Sequence, residues 1–137
     1  MPMMASANDT DTMARTVWGE ARGEGEPGMV AVAWVIRNRL SRLRRFGATL
    51  AQVCRQPWAF SAWNQGDPNR SQLLAVTDAD PQFRQAQQIV SDVLADRVAD
   101  PTMGSQFYLV TGTAADWAID HAPVVEIGRH SFFNDVQ

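Results

Sequence analysis

Residues 27–40 read PGMVAVAWVIRNRL, and this run constrains the fold more than any other part of the chain. A proline opens it where a missing N–H costs a helix nothing, and arginines close it where they favour the helix dipole. Between them Met29, Val30, Val32, Ala33, Trp34, Val35 and Ile36 leave no polar face. A helix that is apolar all round has to be enclosed by other elements. The pattern predicts a central helix from Pro27 to Leu43, with Gly47 as a stop after Phe46. A chain of 137 residues can bury one sizeable core around such a helix. No repeat, low-complexity tract or linker divides it, so a single domain over 1–137 is expected, with 1–9 as a flexible N-terminus.

The elements that enclose the helix follow from periodicity. A first helix is expected from Thr10 to Arg22, opened by Asp9, Thr10 or Asp11 as the cap. Met13, Ala14, Val17, Trp18 and Ala21 then share one arc. A third long helix is expected from Pro81 to Arg97, capped by Asp80, with Phe83, Ala86, Ile89, Val90, Val93 and Leu94 facing inward. Shorter helices are expected at 49–55 and 114–119. Strand composition marks PWAFSAWN (57–64, running into a polar turn QGDPNR), QFYLVTG (106–112) and VVEIGRHSFF (124–133). The fold class is therefore α+β, mostly helical, with a small antiparallel sheet of about three strands.

Several functions are excluded by composition. A net charge of −3 argues against nucleic acid as the main partner, since phosphate binding needs a basic face. Arg37, Arg39, Arg42, Arg44 and Arg45 are clustered, which either serves the helix C-terminus or contacts an acidic polymer. Cys54 is alone, so no disulfide framework or cysteine zinc site is available, and it reads as a small core residue. His121 and His130, near Asp116, Asp120 and Glu126, lack metal-ligand spacing, and no metal or cofactor is expected. No GxSxG motif, phosphate loop or dinucleotide fingerprint is present. No secretory signal is visible and no apolar run approaches the roughly 20 residues that span a bilayer. The expectation is a protein made in the cytoplasm, without stable membrane association.

The segment VWGEARGEGE (17–26) carries the acids that bear on chemistry. Glu24 and Glu26 precede Pro27, where acidic groups favour the start of the next helix. Glu20 sits at the margin of the apolar arc beside Val17 and Trp18. A carboxyl in such surroundings holds its proton more tightly, as a general acid must, although an exposed glutamate fits the same spacing. Trp58, Phe60, Trp63, Asn64, Gln106 and Tyr108 form a set of aromatic and amide groups suited to a saccharide groove, or to core packing. On alternating strand positions Phe60 opposes Ser61, while Gln106 shares a face with Tyr108.

Gly19-Glu20-Ala21-Arg22-Gly23-Glu24, then Ala31-Val32-Ala33 and Asn38-Arg39, then PWAFSAWN, QFYLV and IGRHSFF occur in that order. Over about 12–133 the chain resembles the cell wall hydrolase family typified by the catalytic domain of spore cortex-lytic enzymes. The resemblance implies a lysozyme-like fold related to lytic transglycosylases, with peptidoglycan glycan strands as partner and substrate. It implies Glu20 as the catalytic acid, and carries Glu24, Phe60, Ser61, Tyr108 and His130 over as further site residues. The implied reaction cleaves the bond from N-acetylmuramic acid to N-acetylglucosamine with a 1,6-anhydro product. Hydrolysis with a second carboxylate from Glu24 or Asp67, or an amidase, stays open beside it. Ser61 and Tyr108 are candidate accessories to Glu20, and Phe60, Trp63, Asn64, Gln106 and His130 candidate substrate contacts. The 65–80 insert, Trp58 and Trp63 match no family role. A stand-alone catalytic domain of this kind looks like a phage or prophage lysis enzyme or a released autolysin, expected to be monomeric.

Overall fold

The computed structural model describes residues 2–42, 45–134 and 136. Five α-helices precede a three-stranded sheet: α1 (Ala7–Ala21), α2 (Gly25–Leu40), α3 (Leu50–Arg55), α4 (Pro68–Ala75), α5 (Pro81–Leu94), β1 (Phe107–Val110), β2 (Val125–Ile127) and β3 (His130–Phe133). Single turns of 3-10 helix occupy Arg22–Glu24, Ser61–Trp63 and Asp116–Ala118. The α+β, mostly helical reading with a small antiparallel sheet holds.

The apolar run in α2 is explained by what lies on either side of it. Met29, Val30, Val32, Ala33 and Ile36 join the main core with α1, α3 and α5. Ala31 and Val35 face the other way and pack on Phe132, with Tyr108, Val125 and Ile127 beside them. One helix thus separates the helical layer from the sheet, which is why it has no polar face. The arc expected for α1 and the six residues expected for α5 are all buried.

The arginines at the end of α2 are clips inside the molecule. Arg37 donates to the Val93 carbonyl and the Asp96 carboxylate at the end of α5. Arg39 donates to the Gln106 carbonyl at 2.7 Å, and Arg42 to the Gln106 side chain. Arg45 reaches the Val136 carbonyl. An acidic-polymer face is not needed to account for them. The expected helix end at Leu43, and Arg44, lie outside the described residues.

The sheet has three strands, but not the three expected. Residues 57–64 are not a strand. Pro57 offers no N–H, and the Ala59, Trp63 and Asn64 amides donate to Gln56, Phe60 and Ser61 carbonyls, so local turns take the groups a ladder would need. The 124–133 run instead supplies two strands, separated by a turn at Gly128-Arg129, and the sheet order is β1-β3-β2, all antiparallel. Tyr108 pairs with Phe132, and His130 sits opposite Val110 and Ile127.

Other boundaries shift for identifiable reasons. Ser6 rather than residues 9–11 caps α1 through a capping box with Asp9, so the helix extends back to Ala7. The Met3 amide also donates to the Leu94 carbonyl, tying down the segment expected to be flexible. The polar insert after Asn64 contains α4, capped by Asp67 with Pro68 in its first turn. Its Leu73 is fully buried, a single apolar anchor too sparse to show a period. The expected 114–119 helix is only the 3-10 turn at Asp116–Ala118.

Candidate active site

Glu20 lies in the last turn of α1, and its position depends on the residue before it. A Cβ at Gly19 would stand 3.0 Å from Leu73 Cδ2 and 3.1 Å from Ala62 Cβ. Glycine at 19 lets α1 lie this close to both α4 and the Ser61–Trp63 turn, which a side chain would push back by a few tenths of an ångström. That approach brings the Ala62 N–H to Glu20 Oε2 at 2.9 Å, with the Ser61 hydroxyl further away at 3.4 Å. From the opposite side Tyr108 on β1 donates its hydroxyl to Glu20 Oε1 at 2.6 Å. The carboxylate is therefore held between a turn and the sheet by polar donors, rather than by an apolar margin alone.

These groups line a groove of about 610 Å³, together with Gln56–Ala59, Phe107–Val110 and Trp117. Glu20 is the one carboxylate among the described residues that line it, and Arg39, Gln56, Ser61, Asn69, Tyr108 and His130 are its other polar residues. Burial, and next the charge of Glu20, pushes the Tyr108 phenol well above its ordinary value, so it remains a proton donor. Arg39 is buried under Phe46, Phe60 and Phe107, with its guanidinium carbon 4.8–5.4 Å from their ring centres, and burial lowers its ordinarily very high value.

Glu24 stands apart from this groove. Its carboxylate accepts from the Arg129 backbone N–H at 2.9 Å and from the Arg129 guanidinium at 2.8 and 2.6 Å. The backbone bond first, then the guanidinium, holds its acid well ionised, below the ordinary carboxyl value. Two glycines make room for it. A Cβ at Gly28 would collide with Glu24 Cβ, and one at Gly128, whose φ is +57°, would sit 2.9 Å from Glu24 Oε1. Glu24 thus fastens the start of α2 to the β2–β3 turn. His130 follows directly on that turn. Its Nδ1 is 3.5 Å from Glu24 Oε1 and finds no hydrogen-bond partner among the described residues, while its ring meets Tyr108 edge-on at 5.2 Å.

Of the residues singled out from sequence, Glu20, Trp58, Ser61, Tyr108 and His130 line the groove. Phe60 does not contact solvent; only 1% of it is exposed, and it forms part of the core beneath. Trp63 is turned inward, donating its indole N–H to Thr16 Oγ1 at 2.8 Å, with Arg55 stacked over its ring. Asn64 and Gln106 are outside the groove lining, Asn64 because it ends the 3-10 turn and Gln106 because both its carbonyl and side chain are taken by arginines. The second carboxylates considered are both engaged, Glu24 by Arg129 and Asp67 as the cap of α4. Cys54 is fully buried, and burial pushes its thiol up to about 12, an inert core residue as expected. Arg39, Trp117 and Asn69 were not anticipated in the groove. Arg39 falls three and four residues after Ile36 and Val35 on a buried helix face, which was the available signal.

The sequence model of the Cell Wall Hydrolase family matches residues 23–133, most of the chain. The chain belongs to this family. Glu20 lies just ahead of that span and within longer matches to spore cortex-lytic enzymes. One, from Halalkalibacterium halodurans, is 36% identical over 135 residues, covering 98% of this chain and 37% of the relative. Another, from Bacillus subtilis, is 34% identical over 137 residues, covering 96% and 39%. The chain spans less than half the length of these curated relatives. Among solved structures, the catalytic domain of the Bacillus cereus SleB protein superposes with a TM-score of 0.77 at 32% identity, covering 98% of this chain and 95% of that one. The catalytic domain of the germination-specific lytic transglycosylase SleB from Bacillus anthracis gives 0.76 at 32% identity, covering 98% and 100%. The family fold is thus the lysozyme-like one that the sequence motifs implied. Among the described residues no group of three or more His, Cys, Asp or Glu is arranged to hold a metal ion, and no helix is long and apolar enough to cross a membrane.

Proposed function

We propose that this protein cleaves the glycan strands of peptidoglycan between N-acetylmuramic acid and N-acetylglucosamine, as a lytic transglycosylase acting on the cell wall. The observation that carries the reading is the lone carboxylate of the groove, Glu20, held by Tyr108, Ala62 and Ser61. Protonated Glu20 donates to the glycosidic oxygen as the bond from that oxygen to the muramic C1 breaks. The muramic C6 hydroxyl oxygen then bonds to C1, and Glu20, now a carboxylate, takes the hydroxyl proton. The enzyme returns to its starting state, no water is consumed, and the product is a 1,6-anhydro sugar. A single acid–base residue suffices for both steps.

Of the two Glu20 oxygens, Oε1 accepts one hydrogen bond and Oε2 accepts two, so Oε1 has the larger spare capacity for the transferred proton. Retaining or inverting hydrolysis needs a second free carboxyl across the bond. Glu24 and Asp67 each have other work, which favours the anhydro route.

The test is a digest of purified peptidoglycan analysed by mass spectrometry, with wild type and Glu20→Gln side by side. Anhydro-muropeptides from wild type and none from a folded Glu20→Gln variant are expected. Reducing ends would replace transglycosylation with hydrolysis, free stem peptides would point to an amidase, and near-normal activity in the variant would remove Glu20 from the mechanism.

A further inference from the structure

We infer that Trp58 is a stacking platform for one N-acetylhexosamine ring of the glycan strand, an inference that rests on the reaction proposed above. Trp58 borders the same groove as Glu20, and 83% of it is exposed to solvent. Among the described residues no ring or guanidinium packs on its indole.

Its backbone makes this exposure harder to explain as packing. The Ala59 amide donates to the Gln56 carbonyl at 3.0 Å, closing a four-residue turn with Pro57 and Trp58 at its centre. Trp58 has φ +66°. Proline second and a left-handed residue third describe a type II turn, whose third position favours glycine. A bulky side chain there is an outlier. Of the four non-glycine residues with positive φ among the described residues, Asp96 and Asp120 carry a side chain that tolerates it, and Met103 is outside the groove lining. Trp58 alone combines a strained backbone, an exposed flat apolar face and a position on the groove rim. Neither the turn nor the core benefits from an indole at this place. A strained residue at a candidate site points to a ligand.

A second indole in the groove lining shows what kind of ligand fits. Trp117 also lines the groove, but its ring is held by Phe107 at 5.1 Å and Phe133 at 5.2 Å. One indole is fixed by its neighbours and the other is left exposed, and a carboxylate and hydroxyls line the same groove. Pyranose rings present one face of C–H groups and a rim of hydroxyl and acetamido groups, and they match an apolar plane beside polar groups. Tryptophan, rigid and large, makes such a contact with little loss of side-chain freedom.

The experiment measures binding in a Glu20→Gln background, so that the sugar is not cleaved. Calorimetry with a peptide-free tetrasaccharide of alternating N-acetylglucosamine and N-acetylmuramic acid gives Kd for Trp58, Trp58→Phe and Trp58→Gly, alongside Tm for each. Trp58→Gly is expected to weaken binding about tenfold while Tm stays level or rises, because glycine relaxes the turn. Trp58→Phe keeps a flat face and is expected to stay within about threefold of Trp58. Unchanged binding in Trp58→Gly overturns the inference, as does a clear fall in its Tm, which would make the indole structural. Equal losses in the Phe and Gly variants overturn it too. Wild-type enzyme that releases no anhydro-muropeptides defeats the underlying reaction instead; wild type that does so while Trp58→Gly binds normally defeats only the platform.

Discussion

Replacing Tyr108 by Phe removes one oxygen and tests how Glu20 is held. The hydroxyl donates to Glu20 Oε1 at 2.6 Å, the shortest contact that the carboxylate makes. The ring itself stays useful without it, since it packs on His130, Phe132 and Phe60 at centroid distances of 5.2, 5.7 and 6.5 Å. A hydrogen bond to a charged group contributes about 1.5–3 kcal/mol. In the proposed cycle Glu20 passes from neutral to charged as it protonates the leaving oxygen, so the bond strengthens towards the transition state and its loss falls on kcat. At about 1.4 kcal/mol per factor of ten, that range spans about 10- to 150-fold. Ala62 and Ser61 still hold Oε2, which puts the expected loss toward the lower end, about 10- to 30-fold. KM and Tm should change little, because water in the groove can replace the donor in the resting enzyme. The assay is soluble muropeptide release from purified sacculi as a function of substrate, with circular dichroism to confirm folding. A folded variant with kcat within about threefold of wild type would refute the role given to this bond, as would a loss confined to KM.

Two further variants separate the frame from the chemistry. Gly19→Ala inserts a methyl against Leu73 and Ala62 and forces α4 and the Ser61–Trp63 turn outward. Overpacking of this kind costs about 1–3 kcal/mol, and kcat should fall further than Tm implies because the Ala62 N–H is shifted relative to Glu20; a lower Tm with undiminished kcat would contradict this. Glu24→Gln should lower Tm at neutral pH by weakening the Arg129 latch. Because the folded carboxyl lies below its ordinary value of 4.5, its stabilisation is present above that pH and is lost as pH falls through the lowered folded value. The Tm difference between wild type and Glu24→Gln is therefore expected to narrow below about pH 4.5, and a gap that widens in acid would show that the latch is not ionic.

Much of the helical layer was legible because periodicity is local. The buried positions of α1 and α5 repeat at helical spacing, and the missing polar face of α2 announces that it is covered on all sides. The sheet was legible only as a quantity. PWAFSAWN has strand composition, yet Pro57 and three local turn bonds take it out of any ladder. IGRHSFF reads as part of one run, whereas Gly128 breaks it into a hairpin whose turn is bonded to Glu24, more than a hundred residues away. Phe60, Trp63 and Gln106 were credible groove residues by type alone. Core burial, a bond to Thr16 and a pair of arginines claim them instead.

By itself the sequence determined that the chain builds helices around one enclosed helix, and that GEARGE brings an acid to the end of the first. Those features depend on residues within a few turns of one another, where side-chain spacing decides which face is buried. It pointed to Glu20 as the acid but left open whether Glu24, four residues on in the same motif, serves the next helix, assists Glu20 or acts as a second carboxylate. Tertiary structure decided that. Tyr108 and Ala62 converge on Glu20 from a strand and a turn that lie 88 and 42 residues away, and leave it in an open groove. Arg129, from 105 residues away, closes on Glu24 inside a pocket that Gly28 and Gly128 keep free. A carboxylate's role depends on the donors and the solvent around it, and in this fold those come almost entirely from distant parts of the chain.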